Sequence, residues 1–186
     1  VFNSLDYSTS FFHGAPNGSM GFLGLSNILG FDNYFGKNEF NNNSLYDGYW
    51  GIWDEPFLQF MKTKIDKFEE PFFTTFFSLT SHEPFKVPLE YKDVFPVGNV
   101  QMHEVIGYSD NALREFFNSS KNQPWFKNTL FVITADHSNQ FWYPFYSEGI
   151  NRFAIPIIFY HPNNSFSGIN DKLSQQLDIF PSIIDL

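Results

Sequence analysis

Leu130-Phe131-Val132-Ile133-Thr134-Ala135-Asp136-His137-Ser138 is a short apolar, β-branched run that stops on an aspartate and a histidine. A buried strand over Thr129 to Ala135 that delivers Asp-His at its C-terminal end reads as half of a metal site. A carboxylate oxygen and a neutral imidazole suit Zn²⁺ or Mn²⁺, and open α/β sheets place their chemistry just outside the carboxyl ends of the strands. A solvated loop after a strand is the competing reading of the dipeptide alone.

Working outward, the neighbouring elements alternate between the two periodicities. Tyr7 to Phe12 reads as a strand, Gly14-Ala15-Pro16-Asn17-Gly18-Ser19 as a turn-rich loop, and Ser19 to Leu29 as a short helix. Phe31 to Tyr49 has no clear period and reads as loop. Asp54 is placed to cap a helix from Glu55 to Phe68, with Phe57, Phe60, Met61, Ile65 and Phe68 as its buried stripe. Pro71 ends that segment and opens a strand from Phe72 to Leu79. Val100 to Phe117 has mostly helical spacing and feeds the Asp-His strand, and Phe153 to Tyr160 is the last strand. Strands alternating with helices imply an α/β three-layer sandwich with a mainly parallel sheet. In such a sheet His82, in Thr80-Ser81-His82-Glu83-Pro84-Phe85 after the Phe72 to Leu79 strand, lies along the same edge as Asp136 and His137.

Composition narrows the chemistry. With 42% hydrophobic and 17% charged residues over 186 positions, the chain has the material for one core and reads as a single unit, 1–186. A formal net charge of -9 speaks against a nucleic-acid surface. It also means that an anionic substrate needs a local cation to receive it. There are no cysteines, so disulfide and thiolate chemistry is excluded. The most apolar windows, Phe72 to Leu79 and Phe153 to Tyr160, are strand-length, far short of the ~20 residues of a spanning helix. The start at Val1 and the apolar stripe Gln175, Leu177, Phe180, Ile183, Ile184 and Leu186 read as parts of a larger, N-terminally truncated domain.

Other candidates are weaker. His103-Glu104 lacks a second histidine four residues on, so the zinc-protease pattern fails. His13 ends a strand and could face the site, while His161 in His161-Pro162-Asn163-Asn164 reads as a turn residue. Phe141-Trp142-Tyr143 fits the core better than a pocket wall, because aromatics mainly serve burial. Trp50 and Trp53 face the same choice.

Phe11-Phe12-His13-Gly14, Trp50 to Phe57, Ser78 to Phe85, Tyr108-Ser109-Asp110-Asn111-Ala112-Leu113, Ala135-Asp136-His137 and Gln176 to Ser182, in this order, resemble the C-terminal two-thirds of the lipoteichoic-acid synthase and sulfatase-like catalytic domain of the alkaline phosphatase superfamily. The resemblance implies an alkaline-phosphatase-like fold. It implies Asp136 and His137 as two ligands of one catalytic divalent metal, Mn²⁺ or Zn²⁺, and His82 as the catalytic histidine that contacts the transferred phosphoryl or its leaving group. The remaining ligands, a glutamate and the nucleophilic threonine, lie upstream of the family's Phe-His-Gly motif and have no counterpart here.

The arginine of the phosphoglycerol-transferring members is also missing from the loop Ala15 to Phe22. Asn17, Ser19 and the Gly18 N–H are left as a cradle for an anion at the following helix, with a plain tight turn as the alternative. The expected function is therefore a metal-dependent phosphotransferase or phosphodiesterase acting on an envelope lipid or glycan headgroup. A sulfatase and a catalytically inactive accessory domain are the alternatives. His82, His13 and Asn17 are the expected substrate-binding residues, and an anionic phosphate or sulfate ester is the expected partner. By resemblance, the parent protein is expected to be membrane-anchored through upstream segments and to face the outside of the bacterial cytoplasmic membrane or the periplasm.

Overall fold

A computed structural model describes residues 1–163 and 167–185; Asn164 of the turn after His161 and Leu186 of the C-terminal stripe lie outside the described residues. The chain divides into two compact units, Val1–Gln123 and Pro124–Leu186.

The first unit is built on strand β1, Ser8–His13, which is buried along nearly its whole length. It pairs in parallel with β2, Asn33–Phe35, on one side and with β3, Phe72–Phe77, on the other, in the order β2-β1-β3. Successive strand side chains face opposite sides, and β1 presents an aromatic ring to each. Phe11 stacks on Tyr34 at 5.8 Å and on Phe22 at 5.7 Å. Phe12 stacks on Phe35 at 4.6 Å and meets the edges of Phe57 and Phe60. Both faces of the central strand are therefore covered, as parallel sheets require.

Helix α1, Phe22–Leu29, is shorter than the Ser19 to Leu29 expectation, because Met20 (φ 54°) and Gly21 (φ 74°) take left-handed backbone that a continuing α-helix cannot accommodate. The expected loop Phe31 to Tyr49 contains β2 and the single-turn helix α2, Lys37–Phe40. Helix α3, Asp54–Ile65, buries Phe57, Leu58, Met61 and Ile65 at helical spacing. Helix α4, Met102–Ser120, packs against it through Val105, Tyr108, Ala112 and Phe116. The Tyr108 hydroxyl accepts the Glu55 N–H at 3.2 Å, satisfying one of the orphan donors of the first α3 turn.

The second unit carries β4, Phe131–Thr134, and β5, Ile157–Tyr160, and ends in the short helix α5, Ile179–Ile184. The two strands pair antiparallel, Phe131 opposite Tyr160 and Thr134 opposite Ile157. Within the mainly parallel expectation, this pair is the antiparallel exception. A parallel return needs a crossover, usually a helix; between β4 and β5 the chain forms only 3₁₀ turns, Pro144–Ser147 and Gly149–Phe153. Among the described residues, β3, which precedes His82, pairs with β1, and β4, which precedes Asp136-His137, pairs with β5. Trp125 and Phe126 are buried, and Phe126 meets Phe131 at 5.2 Å. Among the described residues, no helix is long and apolar enough to cross a membrane.

Candidate active site

His82 sits in the turn that follows β3, and the anchor of that turn is a buried carboxylate. Asp54 Oδ1 accepts the Leu79 N–H at 2.9 Å and Oδ2 accepts the Thr80 N–H at 3.0 Å, while the Asp54 N–H donates to Thr80 Oγ1 at 3.1 Å. Asp54 was expected as a helix cap. It is instead the first residue of α3, 2% exposed, and it clamps the strand-end loop. Loss of water around the carboxyl pushes its pKa up to about 6, against the pull of the Leu79 and Thr80 N–H groups.

Around His82 the chain forms a cleft lined by Asp47, Tyr49, Trp50, Trp53, Thr80 and Lys86, among others. Its wall is pre-shaped: Asp47 Oδ1 accepts the N–H groups of Tyr49, Trp50 and Gly51 at 2.8, 2.8 and 3.0 Å. Gly51 is required there, because a Cβ would lie 2.4 Å from the Gly14 carbonyl oxygen and 2.6 Å from Leu79 Cδ1. Trp50 donates its indole N–H to the Glu83 carbonyl and sets its ring at 4.6 Å from the His82 imidazole. His82 Nδ1 lies 3.2 Å from the same Glu83 carbonyl. A carbonyl only accepts, so Nδ1 carries the proton and Nε2 is left for a ligand. Trp50 and Trp53 thus border the cleft rather than only the core.

His13 and Asn17 take other parts. His13 is fully buried between the edges of Phe22 and Phe77, with Nδ1 3.2 Å from the Phe77 carbonyl and Nε2 without a hydrogen-bond partner. Burial lowers its pKa, opposed by the Phe77 bond. The structure therefore places it in the core of the first unit, not at a solvent-facing surface. The Asn17 amide donates to both oxygens of Glu39 at 2.9 and 3.0 Å and its Oδ1 receives the Asn38 N–H. The Ser19 N–H is taken by the Pro16 carbonyl. An anion over Asn17 would meet the Glu39 carboxylate, so the tight-turn reading of this loop is the one the geometry favours.

In the second unit, Asp136 and His137 follow β4 as expected, and their side chains are 57% and 59% exposed. Asp136 Oδ2 stands 3.6 Å from His137 Nε2. His137 Nδ1 donates to the Ser138 carbonyl at 2.8 Å, which leaves Nε2 with its lone pair. Two ligands about 2.0 Å from a tetrahedral ion are separated by about 3.3 Å, so the two donor atoms fit adjacent corners of one coordination sphere. Among the described residues no group of three His, Cys, Asp or Glu that could hold a metal occurs. Gln176, the first residue of the Gln176 to Ser182 motif, ties the segment down. Its Nε2 donates to the carbonyls of Ala135 and Asp136 at 3.0 and 2.7 Å. Trp142 and Tyr143 are 55% and 66% exposed, not core, and Phe141 lies beneath the Arg152 guanidinium at 5.9 Å. His103 Nδ1 accepts the Asn99 N–H and His161 Nδ1 that of Asn163, both local turn bonds.

A parallel sheet of three strands with helices packed on it defines a domain of the α/β class. Comparison of folds agrees. The structure matches the lipoteichoic acid synthase LtaP from Listeria monocytogenes with a TM-score of 0.78 at 19% identity, over 90% of this chain and 46% of that one. It matches a protein of the alkaline phosphatase superfamily from Vibrio parahaemolyticus with a TM-score of 0.70 at 23% identity, over 86% and 40%. The chain belongs to the Sulfatase family, whose sequence model matches residues 1–186. Among curated relatives it is 25% identical over 137 residues to the lipoteichoic acid synthase-like protein YvgJ of Bacillus subtilis, covering 71% of this chain. It is 24% identical over 143 residues to lipoteichoic acid synthase 2 of the same organism, covering 74%. The chain spans 22% of the length of each of these two relatives.

Proposed function

We propose that the chain is the C-terminal portion of a single sulfatase-like catalytic domain. Its reaction is metal-dependent transfer or hydrolysis of a phosphate ester on an envelope lipid or glycan headgroup, through a covalent intermediate on a Thr or Ser outside these 186 residues. The observation that carries the reading is the Asp136–His137 pair: two free donor atoms 3.6 Å apart, with the imidazole tautomer set by the Ser138 carbonyl and the backbone held by Gln176. Asp136 and His137 would hold Mn²⁺ or Zn²⁺, which when bound acidifies a hydroxyl nucleophile and offsets charge on the ester. His82, with its Nδ1–H held on the Glu83 carbonyl, presents Nε2, which in the imidazolium form donates a hydrogen bond or a proton to the departing oxygen. Kinship with proteins named lipoteichoic acid synthases supports a phosphate ester and an outward-facing location at the membrane. A sulfate ester is the second reading, supported by the matching family model.

The test is hydrolysis of chromogenic phosphodiester, phosphomonoester and sulfate esters by a protein that restores the upstream residues, with and without Mn²⁺ or Zn²⁺. Cleavage that needs metal and disappears in Asp136→Ala and His137→Ala is expected, with the His82→Ala rate down ~10²–10⁴-fold. A preference for the sulfate ester would replace the phosphate reading. Metal binding unaffected by either substitution would refute the site.

A further inference from the structure

We propose that Lys86 is the cation that receives the oxyanion of the substrate in the His82 cleft. The assignment rests on the ester chemistry proposed above and names the group that recognises the ester's charge. An anionic ester approaching a chain of net charge -9 meets repulsion unless a cation stands at the point of arrival. The loop Ala15 to Phe22 has no arginine, and its Asn17 is spent on Glu39. The cleft around His82 does hold a cation. Lys86 lines it four residues after His82, on the same strand-end loop.

The ammonium is positioned and still has capacity. Lys86 Nζ donates to the Tyr49 hydroxyl at 2.6 Å and lies 4.5 Å from the centroid of the Tyr49 ring, so an aromatic face and a phenol oxygen orient it without neutralising it. Among the described residues no carboxylate forms an ion pair with it. By contrast, Lys62 and Arg114 pair with Asp66 and Asp110. The carboxylate that lines the cleft, Asp47, has its Oδ1 occupied by three backbone N–H groups. An ammonium has three donors, and Tyr49 uses one. A compact point charge of this kind recognises a tetrahedral oxyanion by charge rather than by the planar fork of an arginine, so phosphate and sulfate groups are both admissible ligands.

The experiment is titration of the 186-residue chain with inorganic phosphate and, separately, with sodium sulfate, followed through the His82 ring resonances by NMR. The chain is expected to saturate with at least one of the two, Lys86→Gln to weaken that binding by about tenfold or more, and Lys86→Arg to retain it. Circular dichroism checks that the exposed substitution leaves the fold intact. Phosphate saturation without sulfate saturation would assign the phosphate ester, and the reverse the sulfate ester. Unchanged affinity in Lys86→Gln, or no saturation of the His82 resonances by either anion, overturns the assignment. The two readings fail separately. Metal-dependent ester cleavage with oxyanion binding indifferent to Lys86 sinks this inference alone; Lys86-dependent binding in a protein that cleaves no ester sinks the proposed reaction alone.

Discussion

Asp54→Asn separates two forces that meet at one carboxyl group. Burial pushes the Asp54 pKa up from 3.8 to about 6, a difference worth roughly 3 kcal/mol at about 1.36 kcal/mol per unit. Because the folded-state value is raised, the stabilising contribution of the protonated form is fully present below pH about 4 and is lost as pH rises through about 6. Asparagine has no such titration. Its cost is geometric: a carboxyl oxygen keeps a lone pair for each of the Leu79 and Thr80 N–H groups, whereas an amide nitrogen has none. One buried donor is then stranded, at about 1–3 kcal/mol independent of pH. Urea unfolding followed by tryptophan fluorescence at low protein concentration should therefore find the variant clearly less stable near pH 4.5, with the gap closing or reversing by pH 7.5. A gap that widens with rising pH would refute the reasoning. It would mean that the two N–H bonds and the positive end of α3 hold the carboxyl ionised against the loss of solvent.

Gly51→Ala should destabilise by about 1–3 kcal/mol in the same assay, because its Cβ would press on the Gly14 carbonyl; an unchanged midpoint would show that the loop yields freely. Phe12→Ala removes a fully buried ring stacked on Phe35 and should cost about 3–5 kcal/mol in urea unfolding, a loss under 1 kcal/mol contradicting its central place. Gln176→Ala leaves both proposed ligands in place but frees the Ala135 and Asp136 carbonyls. Calorimetric Zn²⁺ affinity of the longer protein should fall about tenfold, and no change would deny Gln176 a positioning role.

What could be read from the sequence was what repeats or stops sharply. The Phe-rich strands β1 and β3 and the stripes of α3 and α4 were visible because burial imposes a period on many residues at once. Strand β2 was not, since Asn33–Phe35 is too short for any period and is identified only by the β1 ladder it completes. The reversal of β5 had a signal, the lack of a helical period between Ser138 and Pro156, which removes the crossover a parallel return needs. Of the proposed site, Asp136, His137 and His82 stand out in the sequence as strand-end residues. The roles proposed for Lys86 and Gln176 do not, because each rests on a partner distant in sequence: Tyr49 for one, the Ala135 and Asp136 carbonyls for the other. His13 carries the same sequence signal as His82, its place at a strand end. Only the packing of Phe22 and Phe77 around its ring distinguishes the two.

The unequal spacing of the strands around β1 sets an order of assembly. Contacts from β1 to the start of β2 close 23 residues, as in Thr9 to Asp32, whereas those to β3 close 64, as in Ser10 to Thr74. The longer closure costs about 0.9 kcal/mol more in chain entropy. The β1–β2 pair is thus favoured to form early, and the turn bearing His82 can lock onto Asp54 only once β3 has docked. Pulsed hydrogen exchange during refolding should protect the Phe11 amide, which like that of Thr9 faces the β2 side of β1, before those of Leu79 and Thr80; simultaneous protection would contradict this order. The part of the chain that would meet the substrate is then the last to be put together and the first to let go.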